Sequence, residues 1–210
     1  MIITISREFG SGGRELGKRM ADILGFSYYD KEIIAAISKE EKWDEEYIDN
    51  VLTKSTLRTY PITIGRTFSY PVWTQQSEIQ IMVAQQRVIK ALAQKENCIV
   101  MGQGSDWILR EYEPFNLFVY ADMSAKIKRC KERSPKDEYF TDKELKKKII
   151  QVDASRAKHY EILTLSAWGR KENYHLCVNT TGIQIKTLAP QMAEYIKYWF
   201  GVRNNENTII

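Results

Sequence analysis

Hydrophobic and polar positions along the chain follow two alternating periods. Ile2, Ile3, Thr4 and Ile5 form a short β-branched run that predicts a strand. Glycines 10, 12 and 13 follow at once. From residue 13 to 24, Leu16, Met20, Ile23 and Leu24 then recur at helical spacing. Residues 26–29 predict a second strand, leading to Asp30, which is placed to cap a helix with Ile33, Ile34 and Ile37 on one face. Over residues 75–94, Ile79, Val83, Gln86, Ile89, Lys90 and Ala93 fall on helical spacing, and 98–101 is a short buried strand ending at Gly102. A strand at 115–120 has Asp122 at its end, and a helix at 125–133 returns from it. A long charged helix at 142–165, a last strand at 175–179 and a terminal helix at 185–200 complete the chain. Five strands alternating with helices predict an α/β fold: a central parallel sheet covered by helices on both faces, with ligands at the carboxyl ends of the strands. Both glycine-bearing turns, at 10–13 and 102–104, lie at that edge.

Residues 40–75 break this rhythm. Short helical patterns give way to Thr, Tyr, Pro and Gly, and the region reads as an insertion over the site. Its aromatic residues Tyr60, Phe68, Tyr70 and Trp73 either pack on the core or stack on a base.

Composition narrows the class. A chain of 210 residues, 43% of them hydrophobic, is long enough for one good-sized domain spanning 1–210 and too short for two large ones. The net charge of +4, from 31 basic and 27 acidic side chains, is far from the imbalance of a dedicated nucleic-acid binder and suits a local phosphate site. Cys98, Cys130 and Cys177 have no paired spacing, so neither a disulfide framework nor a zinc site is suggested. The expectation is a cytoplasmic protein with no targeting segment and no membrane association, since apolar runs break well short of the ~20 residues of a membrane-spanning helix. Aromatic density near Trp43, Tyr60 and Trp199 permits a homodimer surface and equally fits a well-filled core.

The candidate chemistry sits on the first turn. Gly10, Gly12 and Gly13 allow positive φ and remove side chains, so successive N–H groups can converge on a phosphate, and the following helix adds its positive end. Ser11 belongs to the same cradle. Arg14 opposes its own helix dipole but is well placed to pair with phosphate oxygens. The other reading is a plain strand-to-helix turn with a solvated arginine. The Walker pattern, Gly-x-x-x-x-Gly-Lys-Ser/Thr, is absent: Glu8, Arg14 and Glu15 replace its first glycine, lysine and hydroxyl residue. The lost hydroxyl normally reaches magnesium, and Glu15 through a water, or Asp122, are candidate replacements. A dinucleotide fold would use Asp30 for ribose, but Glu15 replaces the third glycine of that fingerprint and would face a pyrophosphate.

The stretch Ile5-Ser6-Arg7-Glu8-Phe9-Gly10-Ser11-Gly12-Gly13-Arg14-Glu15, with Tyr29-Asp30-Lys31-Glu32 after it, resembles the cytidylate kinase-like family. Later blocks carry the resemblance on: Gln76-Ser77-Glu78, the run from Gly102-Gln103-Gly104-Ser105-Asp106 to Arg110, Asp153 with Arg156, His159-Tyr160, Trp168-Gly169 and Asn173-Tyr174. It implies a three-layer P-loop NTPase-type fold with a helical insertion at 40–75 and a lid at about 134–170. It also implies transfer of the γ-phosphoryl of ATP, with Mg2+, to CMP or a similar nucleoside monophosphate. By that resemblance residues 10–15 hold the donor phosphates, Asp30, Gln103, Asp106 and Asp153 face the acceptor side, and Arg14, Arg129, Arg133 and Arg156 supply positive charge around the transferring group.

Simpler roles stand beside these. Lys126, Lys128, Arg129, Lys131 and Arg133 populate a helix that could be solvated, Asp153 and Arg156 are spaced as an ordinary helix pair, and Asp106 could cap the helix before Trp107. Gln103 stands where the family usually has an arginine, and Ile150 interrupts the usual lid motif, although Lys147 and Lys148 are near. A non-catalytic nucleotide-binding or regulatory protein is therefore the competing reading.

Overall fold

The computed structural model describes residues 1–46, 48, 72–102, 104–134 and 139–206. Most of the expected insertion at 40–75, Gln103 and residues 135–138 lie outside them. Five strands form one parallel sheet: β1 (Ile2–Arg7), β2 (Ser27–Tyr29), β3 (Cys98–Met101), β4 (Phe115–Tyr120) and β5 (Leu176–Asn179), in the order β2-β3-β1-β4-β5. The helices are α1 (Gly13–Leu24), α2 (Lys31–Glu41), α3 (Val72–Ala93), α4 (Ser105–Ile108), α5 (Met123–Arg133), α6 (Asp142–Thr164) and α7 (Ile185–Glu206). Alternation with helices thus gives the parallel α/β sheet that the strand pattern predicts. The terminal helix runs six residues beyond the expected end.

Period-two alternation sorts the strands between two cores. Ile3 and Ile5 of β1, Ile99 and Met101 of β3, and Phe115, Leu117 and Val119 of β4 face α1 and α7, where they meet Leu16, Met20, Ala189, Met192 and Ile196. Cys98 and Val100 point the other way, into Ile33, Ile37, Ile81, Ala84, Val88 and Ile89 of α2 and α3. Burial of each large side chain contributes about 1.5–3 kcal/mol, so the central strands are fixed in register by both faces. Trp199 joins the first core, edge-on to Phe115 at 5.1 Å between ring centroids.

Two details differ from the periodicity reading. Ile79 and Val83 of α3 are 62% and 58% exposed; the inward face keeps the expected Ile89 and Ala93 and is completed by Ile81, Ala84 and Val88. Ile23 of α1 is likewise exposed. The long helix α6 begins in a capping box, in which the Glu144 N–H donates to Thr141 Oγ1 and the Thr141 N–H donates to Glu144 Oε2. Among the described residues no helix is long and apolar enough to cross a membrane.

Candidate phosphate-binding site

The chain leaves β1 toward β2 and leaves β4 toward β5, so the carboxyl ends of these neighbouring strands open a crevice. The glycine turn lies there. Gly12 is the N-cap of α1 at φ +84°, a conformation that L side chains rarely adopt. At Gly13 a Cβ would stand 2.7 Å from Cβ of Arg7, so the helix start approaches the end of β1 as only glycine permits. Ser11 is fully buried and its hydroxyl donates to the Glu8 carbonyl at 2.8 Å. Its side chain shapes the turn from inside.

Groups from other elements hold the turn in place. Arg156 Nη1 donates to the Arg7 carbonyl at 2.9 Å, and the Phe9 N–H donates to Asp153 Oδ1 at 2.7 Å. Lys126 Nζ, 6% exposed, bridges Glu8 Oε2 at 2.8 Å and Asp153 Oδ2 at 3.0 Å, and Glu8 also accepts the Ala121 N–H. Burial alone would lower the Lys126 pKa, but the hydrogen bonds its ammonium donates to the Glu8 and Asp153 carboxylates, with their charge, outweigh it and the net shift is upward. Farther along, the Thr180 hydroxyl donates to the Ser11 carbonyl at 2.6 Å. Arg129 donates to the carbonyls of Ser11, Thr180 and Ile183 and to the Thr180 hydroxyl.

On the side toward β2, Asp30 takes Arg7 at 3.2 Å on one oxygen and Arg14 at 2.8 Å on the other. Asp30 occupies the N-cap position of α2, yet its carboxylate makes no capping bond. Arg7 reaches it by passing beneath the second turn, where a Cβ on Gly102 would lie 1.9 Å from the guanidinium. Burial lowers the Arg7 pKa. Burial, and then repulsion by Arg7, brings Arg156 down to about 10, which leaves it charged at neutral pH. Glu15 pairs with Arg19 and with Arg133.

These side chains border a cleft of about 590 Å³ on the turn. Among the described residues Arg7, Arg14, Lys31, Arg129, Arg133, Lys148 and Arg156 line it, against two carboxylates, Glu8 and Asp30. A concave site set on a glycine turn with this surplus of cations suits a polyanion such as a chain of phosphates.

Of the expected site residues, the structure brings Gly10, Gly12, Gly13, Arg14, Asp30, Arg129, Arg133 and Arg156 to this cleft. Asp153 lies behind the turn, with its carboxylate on Phe9 and Lys126. Asp106 stands apart: it is 5% exposed inside α4, and its Oδ2 accepts the Tyr160 hydroxyl at 2.6 Å. Burial raises its pKa. The helix-cap reading of Asp106 is corrected, because Gly104 at φ +64° holds the N-cap position. The solvated-helix reading fails for Lys126 and Arg129, which turn inward. Reasoning from sequence passed over Lys126 as a site element, named Lys148 only as a neighbour that stands in for the lid position at Ile150, and missed Thr180. A basic helix does not mark which lysine is interior, and Thr180 meets the turn only through the fold.

The donor set does not fit a magnesium ion held by the protein. Among the described residues no three His, Cys, Asp or Glu side chains stand together, and Glu8, Glu15, Asp30 and Asp153 each face a cation already. Asp122 is exposed and outside the cleft lining.

The model of the cytidylate kinase-like family matches residues 2–182. No curated protein matches the sequence. An uncharacterized protein from Eubacterium ventriosum ATCC 27560 shares the fold at 23% identity and a TM-score of 0.68, over 94% of this chain and 98% of that one. Shikimate kinase from Bacteroides thetaiotaomicron is similar at 15% identity and 0.56, over 94% and 98%. TT1252 from Thermus thermophilus is similar at 16% and 0.54, over 94% and 97%. At such identities these structures establish the P-loop α/β fold alone.

Proposed function

The chain belongs to the cytidylate kinase-like family, and from that premise we propose that it binds ATP with its phosphates on the turn and transfers the γ-phosphoryl group to a small nucleotide, of the CMP or dCMP type. The observation that carries this reading is the cation-lined cleft on the glycine turn. Phosphoryl transfer needs in-line positioning and neutralisation of spreading negative charge more than covalent help. Amides of the turn and Arg14 hold the donor phosphates. Arg156 and Arg133 face the transferring group, and Arg129, fixed on backbone carbonyls, adds a positive field beneath Ser11. The acceptor enters beside Asp30. Its phosphate oxygen attacks the γ-phosphorus as the bond to the β–γ bridging oxygen breaks. Bound magnesium would supply neutralisation of triphosphate charge, and no side chain of this protein is assigned to hold it. This chain's arginines orient the chain of phosphates and shield it from water.

Coupled ADP-release assays across a panel of nucleoside monophosphates test the proposal, with turnover expected for a pyrimidine monophosphate. One observation favours a second reading, a nucleotide-binding protein without efficient transfer: Arg14, at the position of the Walker lysine, is tied to Asp30. Saturable ATP binding by calorimetry without turnover of any acceptor would select it. Absence of both binding and turnover would remove both readings.

A further inference from the structure

We propose that Lys126 is a positioning residue that, through Glu8 and Asp153, makes the shape of the phosphate turn and the position of α6 a single coupled variable. The proposal rests on the nucleotide reading above for its ligand, and on geometry for its mechanism. Three consecutive residues of the turn's entry are gripped. The Arg7 carbonyl is held by Arg156, the Glu8 side chain by Lys126, and the Phe9 N–H by Asp153. Two of the three grips come from one helix, α6, at positions three residues apart, and the Lys126 ammonium joins the third to them by bonding both carboxylates.

The charges in this knot balance. Glu8 and Asp153 face Lys126, and Arg156 lies 3.8 Å from Asp153, so two negative charges meet two positive ones in a largely buried setting. An unbalanced carboxylate there would lie directly behind an anion-binding turn and repel its ligand. Glu8 stands where a Walker loop has its first glycine. Here that position carries a side chain turned back to Lys126 and to the Ala121 N–H, so the turn is ordered from behind.

The same helix reaches the cleft at Leu145, Lys148 and Arg156, a spacing of three to eight that keeps them on one side of α6. Phosphate charge on the turn attracts Lys148 and Arg156. Because Asp153 and Lys126 fasten that helix to residues 8 and 9, any shift of α6 toward the ligand is felt by the turn, and the converse holds by linkage.

The test is hydrogen exchange with ATP as the probe, on wild type, the pair Glu8→Gln with Lys126→Met, and Asp153→Asn. The double variant removes the bridge while keeping the local charge balanced, and Asp153→Asn provides a second route if the double variant does not fold. In wild type ATP is expected to slow exchange in both residues 8–14 and residues 145–156. In the variants protection of the turn remains, while ATP-dependent protection of α6 falls by at least about fivefold, the low end of ordinary site-to-site coupling. Without ligand, the Phe9 amide should exchange faster in Asp153→Asn. Equal α6 protection in wild type and variants, or wild-type protection confined to the turn, overturns the coupling and leaves nucleotide binding standing. No ATP-dependent protection anywhere in wild type overturns the nucleotide reading and the coupling together.

Discussion

Replacing Asp30 by Asn should destabilise the fold and at the same time tighten its hold on a triphosphate. Asp30 is 12% exposed at its side chain and faces two arginines of different character. Arg7 is 14% exposed, so its charged hydrogen bond is worth about 1.5–3 kcal/mol and its loss strands a buried cation. Arg14 is 58% exposed, and solvent screening limits that pair to about 0–1 kcal/mol. The sum, about 1.5–4 kcal/mol, corresponds to a fall in Tm of about 3–16 °C for a chain of this size. Ligand binding moves the other way. Removing one negative charge at about 8 Å from a phosphate, at an effective dielectric near 40, gains about 1 kcal/mol, or about fivefold in affinity. Scanning calorimetry with and without ATP, together with titration calorimetry, measures both effects on one preparation. A Tm within about 2 °C of wild type and an unchanged ATP affinity would refute the account of Asp30 as counter-ion to the cleft.

Other outcomes follow from the same geometry. Gly12→Ala places a Cβ at φ +84° and 2.7 Å from Ile185 Cδ1, so ATP affinity should fall at least about tenfold with a Tm loss of a few degrees; calorimetry showing equal affinity would contradict the turn's role. His159 is buried with neither ring nitrogen partnered among the described residues, and burial lowers its pKa, as burial and then Arg203 do for His175. With folded pKa values below the usual ~6.5, the unfolded chain binds more protons between the two values, so stability is full above about pH 7 and falls as pH drops through that window. His159→Leu should flatten part of this slope in Tm measured from pH 8 to 5, and an unchanged slope would count against it. Because every described carboxylate bordering the turn already faces a cation, Mg2+ alone, without nucleotide, should bind more weakly than about 1 mM, as read by titration calorimetry; binding at about 10 μM or tighter would point to a protein-held metal.

Much of this fold is legible from local pattern, because its central strands are short, largely apolar runs and its first turn concentrates glycines. The strand-turn-helix unit at residues 2–24 follows directly. What local pattern mishandles is orientation. On α3 the inward stripe includes Ala84 and the buried Gln85, which hydrophobic spacing does not register, while the exposed Ile79 and Val83 do register. The cleft is legible as glycines and arginines, yet the support behind it is not. Glu8 and Asp153 lie 145 positions apart and meet only because β4, α5 and α6 carry the chain back to the turn. Lys126 sits in a run of basic residues that look alike until the helix packs. Asp106 shows the reverse case. A cap-type residue precedes an apolar pair, but the left-handed Gly104 starts the helix first and leaves the carboxylate to Tyr160.

Arg129 and Arg133 make the distinction between field and contact concrete. They stand one helical turn apart with the same side chain, and the sequence offers no way to separate them. Arg129 donates to backbone carbonyls around Ser11 and Thr180, which accept its hydrogen bonds without cancelling its charge. Such an arginine is already desolvated and ordered, so its contribution to an anion on the turn needs no rearrangement on binding. Arg133 is half exposed and ion-paired with Glu15, so it must exchange a carboxylate for a phosphate, and its net contribution is the difference between the two. A turn without a Walker lysine therefore need not lack its charge. On the function proposed above, the fixed guanidinium of Arg129 would supply the standing field, and the exchangeable Arg133 at the rim the contact that depends on which anion is present.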